Sequence, residues 1–220
     1  MKLALFDLDH TLLSGDSDVL WCEFLIQQGV LNRAEFAARN ADMETHYKAG
    51  TVSAQEFSSF YVSTLAGRSR SQWEPLRQAF LATEIVRRIP ASAIALVQKH
   101  TDAGDLVVMT TATNRFITEL TALYLEIEHL IATEAQVEGG VFTGRTEGVL
   151  NMRAGKVERL HAWLHARGYR LKDFESTAYS DSINDLPLLQ AVNQPVAVDP
   201  DARLLAHADA DGWQVLHLAR

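Results

Sequence analysis

Lys2-Leu3-Ala4-Leu5-Phe6-Asp7-Leu8-Asp9-His10-Thr11-Leu12 is the stretch on which the reading of this chain turns. Lys2 to Phe6 is apolar but too short for a helix, and Asp-Leu-Asp ends it abruptly. Such a run reads as a strand buried on both faces, with polar groups at its C-terminal end. Working outward, the residues from Asp16 to Arg88 read almost wholly as helix. Apolar residues crowd Asp18 to Gln28 and Gly29 can close that helix; Ala34 to Ala49 is followed by Gly50. Ser53-x-x-Glu56 resembles a capping box opening a third helix that ends near Gly67, and Ser71-x-x-Glu74 opens a fourth.

After Pro90 the pattern changes to strand–helix alternation. Helices are expected over Ala91–Thr101, Asn114–Tyr124, Ala154–Arg167 and Asn184–Val192. Strands are expected at Leu106–Met109, His129–Thr133, Ser176–Ser180, Pro195–Val198 and Trp213–Leu218. Val137 to Val149, with four glycines, suits a hairpin or a flap over the site. The fold class is then α/β: a doubly wound, mostly parallel Rossmann-like sheet with an inserted all-helical cap. The expected division is an α/β core of residues 1–14 and 89–220 with a cap at 15–88.

Composition narrows the function. At 220 residues, 47% hydrophobic and 22% charged, the chain has the balance of a folded globular protein rather than a disordered one. A single cysteine, Cys22, excludes an internal disulfide and favours a reducing compartment; beside Trp21 it reads as packing. Apolar stretches fall short of the roughly 18–20 residues that span a bilayer, and Asp7 interrupts the N-terminal run too early for a signal peptide. The expectation is a cytoplasmic protein without a membrane partner. A net charge of −8 disfavours nucleic acid, yet a small anion can still be held by a metal ion, one lysine and helix N-terminal N–H groups.

In parallel sheets ligands bind beyond the C-terminal strand ends, so the residues just after each strand are the place to look for a site. After the first come Asp7 and Asp9, after the second Thr110 and Thr111, after Ser180 come Asp181 and Asp185. Residues i and i+2 on extended backbone share a side, so Asp7 and Asp9 are neighbours. Two carboxylates about 5 Å apart repel by roughly 3 kcal/mol at an effective dielectric near 20. Adding Asp181 demands a cation or a shared proton, and hard oxygen ligands of this kind suit Mg²⁺. Each element has a plain alternative: a loop start, two ordinary β-formers, a turn with an N-cap. Their coincidence at successive strand ends argues for chemistry. A phosphate there also needs a positive partner. Lys156, after Gly155 at a helix start, fits better than Lys172 in its polar connector, with Arg153 and Arg159 as competitors. His161 and His165, spaced i, i+4, lack an evident third ligand and read as a solvated helix face.

These residues resemble the four motifs of the haloacid dehalogenase superfamily: Asp7-Leu8-Asp9-His10-Thr11-Leu12, the strand into Thr111, Gly155-Lys156, and Tyr179-Ser180-Asp181-Ser182-Ile183-Asn184-Asp185-Leu186-Pro187. Motif order and spacing are similar to the phosphoserine phosphatase-like branch, and the resemblance covers essentially the whole chain. It implies a phosphomonoesterase with Asp7 as nucleophile, Asp9 as general acid and then base, Thr111 on a phosphoryl oxygen and Lys156 offsetting charge. It also implies Mg²⁺ held by Asp7, the backbone carbonyl of Asp9 and Asp181, with Asp185 ordering metal-bound water or Lys156. Thr110 is one register away from the role given to Thr111. His10 stands where Gly, Asn or Ser is more familiar, and either lines the site or packs.

The partner so implied is a small phosphorylated metabolite. In phosphoserine phosphatases a cap acid is expected for the amine and a cap arginine for the carboxylate. Asp16 falls at the acid's place, whereas Tyr61 stands at the arginine's, and a phenol does not replace a bidentate guanidinium. A phosphorylated amino alcohol therefore fits better: its amine on Asp16 or Asp18, its chain or ring against Trp21, Tyr47 and Tyr61. Relatives in this branch point to histidinol phosphate. The aromatics can equally be cap core, and Arg33 or Arg39 can stand in for the arginine. Phosphoserine hydrolysis is the alternative, and dehalogenation or non-catalytic phosphate binding are the readings of other classes. Carbon–halogen cleavage needs neither Asp9 nor the Asp181/Asp185 pair.

Overall fold

The computed structural model describes the backbone of residues 1–48 and 53–219, with side chains described outside 44–48. Its sheet has the order β4-β3-β2-β1-β5-β6-β7. The strands are β1 (Lys2–Phe6), β2 (Leu106–Asn114), β3 (His129–Glu138), β4 (Val141–Glu147), β5 (Glu175–Ser180), β6 (Gln194–Val198) and β7 (Gln214–Leu216). All neighbours pair in parallel except β3 and β4. Phe6 lies opposite Met109 of β2 and Tyr179 of β5, so β1 ends at the point where the strand order reverses.

Period-two alternation sends β1 to two apolar layers. Ala4 and Phe6 join one core cluster, Leu3 and Leu5 the other. The helices are α1 (Ser17–Gln27), α2 (Arg33–Lys48), α3 (Ala54–Val62), α4 (Arg70–Phe80), α5 (Ala91–Asp102), α6 (Arg115–Tyr124), α7 (Ala154–His165), α8 (Leu186–Ala191) and α9 (Ala202–Asp211). Residues of α5 and α6 cover the first face, and those of α7, α8 and α9 the second.

Between β1 and β2 the described residues hold helices and no strand. Ser53 and Glu56 make the reciprocal capping box over α3. The corresponding box of α4 lies two residues earlier than the sequence suggests. Ser69 caps the backbone N–H of Gln72, while Glu74 pairs with Arg77 instead. Two overlapping Ser-x-x-Glu/Gln signatures competed, and the extended backbone of Ser69 (ψ 164°) decided it.

The helical block has a small cluster of its own, Cys22, Phe60 and Tyr61, but its largest aromatic side chains join the core of the sheet. Trp21, fully buried, packs edge-on against Trp73 and Phe80 at 5.7 and 5.2 Å, and all three belong to the cluster that contains Phe6 and Met109. The buried Arg77 reinforces the seam: it bonds Glu119 of α6 at 2.7 Å and lies 4.8 Å over the Phe116 ring. Burial pushes the Cys22 thiol well up, which keeps it inert.

The β3–β4 hairpin is a buttress rather than a flap. Gly67 N–H donates to Phe142 C=O and Phe142 N–H to Arg68 C=O, each at 3.0 Å, which ties the hairpin to the loop ahead of α4. No part of it reaches the acid-lined cavity at the strand ends. No described helix is long and apolar enough to cross a membrane.

Candidate active site

Asp7 extends β1 by one residue, its N–H donating to Tyr179 C=O at 3.0 Å. The chain then turns sharply; His10 is left-handed (φ 57°), and the N–H groups of Leu12 and Leu13 both reach Leu8 C=O. That turn brings Thr11 back to the strand ends. Its Oγ1 lies 3.1 Å from both Asp7 Oδ2 and Asp181 Oδ1, and accepts the Asp181 N–H at 3.0 Å. The first and last acidic motifs thus meet on one hydroxyl.

Lys156 joins them from the other side. Its buried Nζ donates to Asp7 Oδ1 at 2.7 Å and to Asp185 Oδ2 at 2.6 Å, and Ser180 Oγ also donates to Asp185 Oδ2. Gly155 makes this approach possible, because a Cβ there would sit 2.1 Å from Leu150 C=O. Asn151, fully buried, steadies the loop through Nδ2, which lies 2.9–3.0 Å from Thr110 Oγ1, Thr111 C=O and Ile131 C=O. Arg153 and Arg159 do not take the lysine's place: Arg153 lines the cavity mouth, and Arg159 bonds Glu134 and Val149.

Asp9 is oriented separately. Its Oδ1 accepts the Ser17 N–H at the start of α1 (2.7 Å), and its Oδ2 accepts from Thr113 at 2.9 Å and Thr111 at 3.4 Å. Thr111 therefore faces the acid, while Thr110 is engaged by Asn151. Thr113 and Ser17 are site residues that the sequence reading missed. Thr113 Oγ1 also approaches Asp18 Oδ2 (3.3 Å) and accepts from Ser17 Oγ (3.2 Å).

A cavity of about 260 Å³ opens over these groups, with Asp7, Asp9, Asp16, Asp18, Asp181 and Asp185 in its wall. From the helical block α3 contributes Phe57 and Ser58. Two of the expected substrate contacts lie away from the cavity. Trp21 and Tyr61 are absent from the wall; Trp21 is core, and Tyr61 is buried with its hydroxyl donating to Asn40 at 3.2 Å. Arg39 instead stacks over Phe60, off the wall. The Tyr47 side chain lies outside the described residues. A larger groove of about 780 Å³ runs past His161, His165 and Lys172 with no acid in its wall; size does not locate the chemistry.

Crowded acids in a closed site resist ionisation. Burial pushes Asp7 up to about 7, helped by Asp185 and Asp9 and opposed by Lys156. Burial, then Asp16, raises Asp9 to about 6; burial, then Asp7, raises Asp181 to about 8. Asp18 is likewise held well above the carboxylate range by burial. Burial alone would lower Lys156, but Asp185 and Asp7 more than offset it and keep the ammonium charged. Thr11 has one proton for two carboxylates, so the donor set is short of positive charge where Asp7 and Asp181 meet. Hard oxygens in that state fit Mg²⁺. Among the described residues no three His, Cys, Asp or Glu side chains gather tightly enough to hold a metal alone. Backbone oxygen and water would complete the shell, as Mg²⁺ prefers.

A family model described as haloacid dehalogenase-like hydrolase matches residues 4–190. A histidinol-phosphatase of Neisseria meningitidis serogroup C (strain 8013) is 38% identical over 218 residues, 98% of either chain. The crystal structure of a Bordetella pertussis Tohama I protein of unknown function superposes with a TM-score of 0.94 at 42% identity, covering 98% of this chain and 97% of that one. A substrate-bound phosphoserine phosphatase superposes at 0.68 with 19% identity over 98% and 92% of the two chains, a likeness of fold.

Proposed function

We propose, from the premise that this chain belongs to the haloacid dehalogenase-like hydrolase family, a phosphatase that works through an aspartyl-phosphate on Asp7. Phosphatase activity as such follows from the family and its named relatives. The observation that carries the finer reading is the meeting of Asp7, Asp181 and Asp185 on Thr11 and Lys156. Asp7 attacks phosphorus. Lys156 on Oδ1 and Thr11 on Oδ2 fix the Asp7 carboxylate, and Lys156 offsets charge on the phosphoryl group as it is transferred.

Asp9, with a value near 6, is protonated in part around neutrality. It donates that proton to the leaving alkoxide, then takes one from the attacking water. The Ser17 N–H and Thr113 hydroxyl hold it in place for both steps. Thr111 lies just behind the wall with its hydroxyl on Asp9, and would turn that hydroxyl to a phosphoryl oxygen when substrate is bound. Asp7, Asp181 and the backbone carbonyl of Asp9 would hold Mg²⁺, with Asp185 fixing Lys156. When bound, the ion neutralises Asp7 and Asp181 and polarises the phosphoryl group.

Residues 15–88 act as the cap over a core of 1–14 and 89–220, with Phe57 and Ser58 reaching down to the wall. The substrate class is a phosphorylated amino alcohol, with histidinol phosphate as its leading member. The acidic wall favours a cationic tail, whose ammonium Asp16 or Asp18 accepts, and the Neisseria relative bears a matching name. Phosphate release from histidinol phosphate should require Mg²⁺ and stop in EDTA. Release unaffected by EDTA would remove the metal from this reading.

Stability supplies a second test. Asp7 and Asp181 have folded-state values near 7 and 8 against 3.8 when free. The folded state therefore binds more protons than the unfolded one across that window, and stability falls as pH rises through it. In EDTA the Tm should drop by several degrees between about pH 5 and about pH 8, and Mg²⁺ should restore more of it at the higher pH. A metal-free Tm that climbs over this range would contradict the electrostatics of the site.

A further inference from the structure

Outside the cavity, a buried polar chain runs from the last turn of α5 to β5. His100 Nδ1 donates to Asp105 Oδ2 at 2.7 Å, which leaves Nε2 to accept the Tyr179 hydroxyl at 2.8 Å. Asp105 turns the chain into β2. Side-chain exposure is 13% for His100 and 9% for Asp105, and Tyr179 as a residue is 7% exposed. None of the three touches the cavity.

What they touch is the pair of strand ends that carries it. The Tyr179 ring stacks on Phe6 with centroids 4.7 Å apart and planes within 8°, and His100 meets both rings edge-on. Phe6 directly precedes Asp7, and Tyr179 stands two residues before Asp181. The Asp7 N–H closes the unit on Tyr179 C=O. One imidazole, anchored by a carboxylate, thus grips both rings whose backbones present Asp7 and Asp181.

We infer that His100 and Tyr179 are positioning residues, which set the spacing of Asp7 and Asp181 through the Phe6–Tyr179 stack; this rests on the phosphatase reading above. Nothing in the packing alone calls for a polar chain here. An apolar residue at either place would fill the space, but the ladder that fixes the strand register would then hold the two rings without a hydrogen-bonded anchor for their tilt. A small shift at the strand ends changes how a divalent ion and a phosphoryl group are shared between the two acids, and a misplacement of about 1 Å costs up to about a hundredfold in rate.

Tyr179→Phe removes one oxygen and keeps the stack, so it tests the idea in a folded protein. With Mg²⁺ and histidinol phosphate or para-nitrophenyl phosphate, its kcat should fall about tenfold with KM within about twofold. Without substrate, the Mg²⁺ concentration at the midpoint of the thermal shift should rise several-fold. His100→Ala should repeat both effects, and combining it with Tyr179→Phe should add little, because the two act as one unit. Asp105→Ala should resemble them, and Asp105→Asn, which still accepts from Nδ1, should recover most of the loss. Tyr179→Phe with kcat and Mg²⁺ midpoint both within twofold of the parent would overturn the inference; so would a rise in KM at constant kcat. Absence of Mg²⁺-dependent phosphate release by the parent would defeat the phosphatase reading itself, and the Mg²⁺ midpoint alone then decides whether this chain spaces the two acids.

Discussion

Replacing Asp7 with asparagine is expected to lower phosphate release by at least about four orders of magnitude, the scale seen when a nucleophile is removed. The substitution keeps nearly every contact. An amide oxygen still accepts from Lys156, whose other partner Asp185 remains, and the side chain is the same size in a site that is 7% exposed. Burial and its acidic neighbours make ionised Asp7 costly in the metal-free protein. Its neutral replacement should therefore raise the metal-free Tm above neutral pH, while the thermal shift produced by Mg²⁺ shrinks. Activity and metal response thus fall while metal-free stability rises, which a misfolded variant could not imitate. Residual turnover above about one per cent of the parent would exclude a covalent route through Asp7.

Histidinol phosphate should exceed L-phosphoserine by about two orders of magnitude in kcat/KM, equivalent to about 2.7 kcal/mol of transition-state stabilisation. The two differ where it matters for this wall: phosphoserine carries a carboxylate beside its ammonium. Six aspartates line the cavity, and α3 offers the buried Tyr61 at the place where related phosphoserine phosphatases are expected to have arginine. The Tyr61 hydroxyl is directed to Asn40. A carboxylate would enter an already negative enclosure without a guanidinium from that helix. Parallel measurements on the two substrates decide the matter. If L-phosphoserine were the better one, Arg153 at the mouth would be its partner, and the argument from Tyr61 would fail.

The acids of the site were legible because their chemistry is visible in one dimension. Carboxylates at successive strand ends have few structural reasons to be there, and Asp7, Asp9, Asp181 and Asp185 do converge. Their hydroxyl partners were harder to find. Threonine is both a β-former and a polar residue, so the second strand reads as ending at Met109, whereas β2 continues to Asn114 with Thr110, Thr111 and Thr113 buried. The contact between Ser17 and Thr113 spans 96 positions, and no local pattern announces it. The aromatics failed for a different reason. Helix α1 buries Leu20, Trp21, Cys22, Phe24 and Leu25, too much of its circumference for periodicity to say which side meets a ligand. Helix α9 went unread although Asp201 caps it and Gly212 ends it, because only Leu204 and Ala208 are fully buried on its inner side.

The aromatic seam around Trp21 bears on how such a protein can be re-engineered. Exchanging residues 15–88 for the equivalent segment of a relative would transplant half of an oil-filled joint, since Trp21, Trp73 and Phe80 share their surroundings with Phe6 and Met109. A chimaera of that kind would inherit the donor's specificity only if the sheet-side half of the joint travelled with it. Altering individual side chains on the cavity wall, such as Phe57 and Ser58, leaves the joint sealed and is the more promising route to new substrates.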